Sequence, residues 1–282
     1  MNKSQALNHI VAESQRGELV FPTHVQASLH IQQALDDPEC GIEAAARLIM
    51  KEPLMAARVV AIANSVAYSR FGGGVTNIRT AVSILGFSTL RSVVASVIMR
   101  QISHQITEPV IRHKMESLWL HSAHVGALSY CLAKHVTLSD PETAMFTGIV
   151  HEVGGFYLLS RAGEFPALLE DMHCAPEHEL DESPEIFIGR AVLHKLMVPK
   201  RVLSAIEVLW YGARALPPAS PGEILIAAND LSPVSSPIDL RSAEQIEAAR
   251  NSADCSLNQH SLRDILQQTN TETQSLLQSL LH

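Results

Sequence analysis

Apolar residues recur along most of this chain with the spacing of amphipathic helices. Leu90, Val93, Val94, Val97 and Ile98 follow each other at i, i+3, i+4, i+7 and i+8, which places them on one face of a helix. No stretch alternates between apolar and polar residues as a half-buried strand would. The pattern therefore predicts an all-α fold made of many helices.

Residues typical of helix ends divide this pattern into separate helices. Pro53 is placed to open one helix at its first position. Thr76 or Asn77 is expected to cap a short helix that Gly86 closes. The sequence Asp140-Pro141-Glu142 predicts the start of a further helix, because its two acidic side chains would lie at the positive end of the helix dipole.

The polarity of the chain suggests three successive units. Residues 1–105 form an N-terminal helical bundle, and a polar stretch at 101–115 joins it to a second helical unit at 106–231. A loop rich in serine and proline then leads to polar helices at 232–282. These last helices could be a docking arm, a dimer contact or a cap on the bundle.

Composition narrows the class of protein. Among the 282 residues, 46% are hydrophobic and 18% are charged, which is typical of a folded soluble protein. No continuous apolar run reaches the ~18 residues that span a bilayer, and the first residues lack a signal-peptide core. The four cysteines form no CxxC pair, as expected of reduced thiols. We expect a cytoplasmic protein without a membrane partner.

The charge balance disfavours nucleic acid as a partner. The chain has 29 acidic and 21 basic residues, giving a formal net charge of −8. Nucleic-acid binding draws most of its affinity from basic side chains on phosphates, and the bases here are scattered along the chain.

Two histidines are candidates for a buried site. His121 shares a helix face with Leu118 and Val125, which directs its ring into the core. His151 lies on one line of its helix with Gly148, and this small residue would let a partner helix approach closely where His151 projects.

The stretch from 146 to 155 carries the most specific chemical signal. His151 and Glu152 stand side by side in an apolar helical segment, as the His-Asp doublet does in metal phosphohydrolases. In those enzymes the short aspartate bridges metal ions that activate water. Glu152 is one methylene longer, so the doublet is altered.

Several motifs in order resemble the HDOD family, a bacterial relative of the HD phosphohydrolases. The likeness covers about residues 18–231, and its segments are 21–23 (FPT), 49–58 (IMKEPLMAAR), Asn64-Ser65, 78–86 (IRTAVSILG), 118–122 (LWLHS) and 148–154 (GIVHEVG). The resemblance implies an all-helical domain whose second unit is an HD-like core. It also implies a role in bacterial signalling. The receiver, GAF or cyclic-dinucleotide modules often fused to such domains are not visible in this sequence.

The resemblance also implies which positions descend from the HD metal site. His121 matches the first histidine of the family, His151 matches the doublet histidine, and Glu152 replaces the aspartate. Glu185 stands where many members have a later histidine, and residues 208–209 (Val-Leu) stand where they have a His-His pair. Aliphatic side chains cannot ligate a metal, so the site is predicted to be vestigial. If any metal binds, its ligands would be His121, His151 and Glu152.

The family signature Asn64-Ser65 has a structural interpretation as well as a functional one. Both side chains can bond to backbone groups at the end of a helix, and this structural role is favoured. The turn from 64 to 74 nevertheless remains a candidate docking surface, together with the vestigial pocket.

These observations lead to one preferred function and two alternatives. The preferred function is a non-catalytic regulatory protein that acts by binding protein partners, with no catalytic residue and no cofactor. The first alternative is a metal-dependent phosphohydrolase acting on a nucleotide or cyclic dinucleotide. The second is a sensor that binds a nucleotide or another small ligand without turnover. The identity of the partner and the oligomeric state are left open.

Overall fold

The structure is a computed structural model that describes most of the chain. The described residues are 1–19, 26–71, 74–104, 106–170, 182–196, 198–212, 214–239, 241–254, 256–257 and 260–281. The motif at 21–23 and the glycine pair at 72–73 of the predicted loop lie outside these residues.

The described residues of the N-terminal part form five helices and one short 3-10 turn. They are α1 (Lys3–Gln15), α2 (Gln26–Leu35), α3 (Ile42–Ile49), α4 (Pro53–Ala63), the 3-10 turn Val66–Phe71 and α5 (Ile78–His104). Pro53 opens α4, as the sequence predicts.

Helices also make up the rest of the chain. They are α6 (Pro109–Leu132), with a π-helical turn at Ala133–Thr137, then α7 (Pro141–Val150), α8 (Val153–Arg161), a 3-10 turn at Pro166–Leu169, α9 (Pro184–Lys195), α10 (Lys200–Tyr211), α11 (Pro221–Leu231), α12 (Ala243–Ala253), α13 (Leu262–Gln268) and α14 (Asn270–Leu281). The all-α prediction is confirmed. Within the described residues, extended pairing is limited to a two-residue antiparallel ladder between β1 (Ser256–Leu257) and β2 (His260–Ser261), too short to leave an alternating pattern.

Helix α5 consists of two segments that meet at Gly86. This glycine has φ 69° and ψ 170°, which breaks the helix where the sequence predicts its end. The side-chain oxygen of Asn77 accepts a hydrogen bond of 2.8 Å from the amide of Thr80, so Asn77 is the cap of the first segment.

The stretch Ile78–Gln101 of α5 is long and apolar enough, by length and composition, to cross a membrane. Polar residues such as Thr89, Arg91 and Ser92 interrupt any continuous apolar run, as the sequence indicates, but an 18-residue window of this stretch still has a mean hydropathy of 1.7. Of this window, 67% is buried inside the protein. Buried Ser96 donates to the carbonyl of Val93 at 2.7 Å, which satisfies its hydroxyl within the helix. These features are those of a core helix and are consistent with a soluble protein.

The apolar side chains form one continuous core. It includes Leu90 from α5, Leu118 from α6, Phe156 from α8 and Leu280 from α14. The three predicted units therefore share a core, and their boundaries stay a prediction.

The last helix packs onto the bundle. Helix α14 contacts α4, α6 and the 3-10 turn Val66–Phe71, and it buries Leu276 and Leu280. Arg58 and Arg100 donate hydrogen bonds to the carbonyls of Leu280 and Leu281 at its C-terminal end, where the helix dipole is negative. The sequence leaves three roles open for the terminal helices: a docking arm, a dimer contact or a cap on the bundle. The position of α14 is that of a cap on the bundle.

Candidate functional site

The site lies where α6 and α7 touch backbone to backbone. A Cβ atom on Gly148 of α7 would lie only 2.7 Å from the Cα of Gly126 on α6. Real side chains do not fit at that distance, so both positions have to be glycine for the helices to meet. The prediction of a close helix approach beside His151 is confirmed, and the approaching helix is the one that carries His121.

His121 is 2% exposed, and both of its ring nitrogens contact protein groups. Nδ1 lies 2.7 Å from the carbonyl oxygen of Val234 and must donate to it, since a carbonyl only accepts. Nε2 lies 3.0 Å from the side-chain amide of Asn229 on α11. An amide can present its oxygen or its nitrogen, and in either orientation Nε2 is occupied by this contact. No ring nitrogen of His121 is left free.

His151 is 4% exposed and has a different arrangement. Its Nδ1 donates to the carbonyl of Gly148 at 2.7 Å, which leaves Nε2 as the acceptor of a neutral ring. Burial lowers the pKa of His151, the charge of nearby His121 lowers it further, and Glu152 partly opposes this. Nε2 is buried and has no hydrogen-bond partner within the described part of the chain. The rings of His121 and His151 are 5.4 Å apart, centroid to centroid.

Glu152 completes the cluster at the start of α8. Its Oε2 lies 3.7 Å from Nε2 of His121, which is beyond hydrogen-bonding distance. This oxygen is also buried without a partner among the residues described. The three side chains of His121, His151 and Glu152 each place one potential ligand atom within 4.8 Å of the others. The fold therefore brings together the three metal-site positions that the resemblance implies.

The other predicted positions are arranged less favourably for a metal. Glu185 lines a cavity beside the cluster but is not part of it. Leu209 lines the same cavity. Val208 instead packs on α11, since a Cβ on Gly222 would lie 2.4 Å from its Cβ. Neither residue of this pair supplies a ligand.

The cavity next to the cluster has a volume of about 380 Å³. Helices α8 and α9 form one side of it and approach closely, because a Cβ on Gly154 would lie 2.6 Å from the Cα of Gly189. Most of its lining is apolar, and the polar part next to the cluster, formed by His151, Glu152 and Asn229, is called its inner wall. The lining residues are Lys3, Lys114, His151, Glu152, Gly154, Gly155, Leu158, Leu159, Leu168, Leu169, Glu170, Ser183, Glu185, Ile186, Gly189, Leu209, Trp210, Asn229 and Ile238.

Asn64 has the structural role that the sequence analysis favours. Its amide nitrogen donates to the carbonyls of Val60 at 3.0 Å and Val75 at 2.8 Å. Its oxygen accepts from the amide of Val75 at 2.8 Å. Asn64 therefore ties the end of α4 to the segment before α5. The hydroxyl of Ser65 is buried, with no partner in the described structure.

Sequence reasoning did not single out three residues in or near the site. Asn229 holds His121, and its only sequence signal is that the pair Asn229-Asp230 follows two alanines in an apolar helix. Asp230 is 3% exposed and pairs with Arg214 and Arg241 at 3.0 Å each, which fixes the segment that carries Val234. His124 was missed as well; burial and the charge of His121 lower its pKa.

Fold and site together define an HD-like helical domain with a His-His-Glu cluster. The chain belongs to the HDOD family, since the family model for the HDOD domain matches residues 21–208. Among curated proteins, no sequence matches this chain.

Three solved structures show where this fold has been seen before. A proposed metal-dependent phosphohydrolase from Shewanella amazonensis SB2B aligns with a TM-score of 0.69 at 22% identity, covering 98% of each chain. An HDOD domain protein of unknown function from Geobacter sulfurreducens aligns with a TM-score of 0.57 at 19% identity, covering 99% of this chain and 98% of that one. A proposed signal transduction protein from Marinobacter aquaeolei VT8 aligns with a TM-score of 0.52 at 16% identity, covering 93% and 60%. At these identities the likeness is one of fold.

Proposed function

We propose that this HDOD protein is a non-catalytic regulator of the bacterial cytoplasm that acts by binding protein partners. The observation that carries the proposal is the engagement of both ring nitrogens of His121, by Val234 and by Asn229. A metal ligand has to present a free lone pair, so His121 in this arrangement is a structural residue.

The remaining groups do not fit a hydrolytic metal centre. His151 and Glu152 each keep one unpartnered acceptor, while Leu209 lines the cavity without a ligand atom. A catalytic zinc site has three protein ligands, and a two-metal site needs more. We therefore derive no hydrolytic step through a metal. The Marinobacter neighbour is a proposed signal transduction protein, which is in keeping with a regulatory role.

One observation favours the alternative of a metal-dependent phosphohydrolase. The ligand atoms of His121, His151 and Glu152 lie within 4.8 Å of one another, close enough for modest side-chain shifts to gather them around one ion. Metal binding by this cluster would also require Asn229 to give up its contact with Nε2 of His121.

Metal analysis of protein purified without chelator tests the proposal. We expect manganese, iron, nickel and zinc all well below one ion per chain, and no difference between the wild type and His151→Ala. Stoichiometric metal that is lost in His151→Ala would favour the phosphohydrolase.

Partner capture tests the positive side of the proposal. The tagged protein is expected to retain a specific protein from its own cell extract, and that protein should bind the purified chain directly. A chain that retains none, while hydrolysing a phosphodiester such as bis(p-nitrophenyl) phosphate in a His151-dependent way, would contradict the proposal.

A further inference from the structure

The cavity beside His151 has a lining that matches a specific class of small molecule. Its volume of about 380 Å³ falls in the range of sites for small ligands. Its sides are apolar, with Leu158, Leu168, Ile186 and Trp210 among them. A ligand that fills this space needs an apolar body, because an extended polar one would lose its hydrogen bonds to water.

The inner wall of the cavity presents acceptors without donors. Nε2 of His151 and Oε2 of Glu152 are both buried and unpartnered within the described structure. A buried acceptor without a donor destabilises the protein, so each atom favours a ligand that brings an N–H group. The neighbouring Asn229 contacts His121 through its amide oxygen and lies near His151, but it makes no hydrogen bond of normal geometry to Nε2 of His151.

The acceptor side chains lie close enough together for one donor group to reach both. Potential ligand atoms of His151 and Glu152 lie no more than 4.8 Å apart. A primary ammonium that donates to two acceptors at about 2.8 Å, with the tetrahedral angle between them, holds those acceptors about 4.6 Å apart. Since neither atom has appreciable exposed surface, the carboxylate of Glu152 has to turn towards the cavity, which its broad terminal torsion permits.

The charge of the lining also favours a cation at the inner wall. Glu152, Glu170 and Glu185 contribute three carboxylates to the lining, and Lys3 and Lys114 contribute two ammonium groups. Lys3 bonds to the carbonyl of Glu170 at 3.0 Å.

We propose that this cavity binds a small primary amine with an apolar body, whose ammonium group donates to His151 Nε2 and to the Glu152 carboxylate. The proposal concerns the inner cavity and does not depend on the protein-binding role argued above. Ligand binding and partner capture are separate measurements, so either can fail alone.

Calorimetry with matched probes tests the proposal, with EDTA in every buffer. The probes are 2-phenylethylamine and 3-phenylpropionate, which share an aromatic body and differ in the head group. We expect saturable binding of the amine with Kd below about 1 mM, and binding of the carboxylate at least tenfold weaker. Equal binding of the two, or no saturable binding of the amine at millimolar concentration, would overturn the proposal. Amine binding that requires added Mn²⁺ or Zn²⁺ would overturn it too.

Three variants locate the binding site. Glu152→Gln removes the charge and is expected to weaken amine binding at least tenfold. Glu247→Gln on exposed α12 is the matched control, because Glu247 lies outside the cavity lining, and its effect should stay within about twofold. Ile186→Trp fills the cavity without touching the acceptors and should abolish binding, which keeps the test decisive if Glu152→Gln folds poorly. Equal effects of the two glutamate variants, or full binding by Ile186→Trp, would refute the assignment.

Discussion

Asn229 on α11 holds the Nε2 of His121 on α6 at 3.0 Å, across 108 positions of sequence. This contact occupies the one ring nitrogen that a metal could otherwise reach, since Nδ1 is bonded to the carbonyl of Val234. The availability of this nitrogen to a metal therefore depends on the contact with Asn229.

Replacing this amide by a carboxylate should create metal affinity. Asn229→Asp supplies an additional oxygen ligand and negative charge beside His121, His151 and Glu152. We expect it to bind one Mn²⁺ or Zn²⁺ at least tenfold more tightly than the wild type in calorimetry. Asn251→Asp on exposed α12 is the control and should behave as the wild type. A wild type that already binds as tightly as Asn229→Asp would show that the amide does not block the site.

The glycine contact between α6 and α7 should be sensitive to a single methyl group. Gly148→Ala places a Cβ 2.7 Å from the Cα of Gly126 and forces the helices apart. We expect a loss of about 1–3 kcal/mol in the free energy of unfolding, measured by urea denaturation. Gly163→Ala, whose Cβ would meet nothing within 4 Å, should change it by less than about 0.5 kcal/mol. Equal costs for the two variants would argue against the close packing.

Asn64 should contribute to stability rather than to partner binding. Asn64→Ala removes its bonds to Val60 and Val75, and leaves backbone groups of the turn without partners. We expect a loss of about 1–3 kcal/mol in the free energy of unfolding, with partner capture unchanged once the variant is folded. Asn251→Ala on exposed α12 serves as its control. Lost capture with unchanged stability would assign Asn64 to a docking surface instead.

The docking of α14 should weaken in acid. Burial by itself raises the pKa of Glu272, but the hydrogen bonds from Lys134 and His135 outweigh it and hold the pKa below its usual value. A lowered carboxyl pKa stabilises the fold above the pKa of the unfolded chain, and this contribution is lost as pH falls through the folded value. The stability gap between wild type and Glu272→Gln should be about 1–3 kcal/mol at pH 7, and it should shrink as pH falls below about 4.5.

An exposed acid provides the comparison for this pH dependence. Glu247 pairs with Arg250 on the surface of α12, at 3.2 Å and with a mostly exposed side chain. Glu247→Gln should change the free energy of unfolding by less than about 0.5 kcal/mol at every pH. A gap between wild type and Glu272→Gln that stays constant from pH 7 down to about pH 2 would mean that the ion pair does not hold α14.

Local sequence signals predicted much of the helical framework. Pro53, Asn77 and Gly86 act on the backbone within one turn of themselves, and the structure places helix ends at all three. The line of Gly148 and His151 on one helix face likewise indicated a close helix approach, because it depends only on the periodicity of that helix.

The sequence by itself determined the all-α fold and the glycine contact beside His151. These follow from residue type and helical period, which are local properties. That residues 208–209 stand where relatives have two histidines is implied only by the resemblance to the HDOD family. The tertiary structure alone decided that Asn229 occupies His121, that His151 and Glu152 keep unpartnered acceptors, and that Leu209 lines a cavity while Val208 does not. Those facts depend on how α6, α7, α10 and α11 are set against one another, and a helix rotation of one residue, about 100°, would reverse them without changing any local pattern.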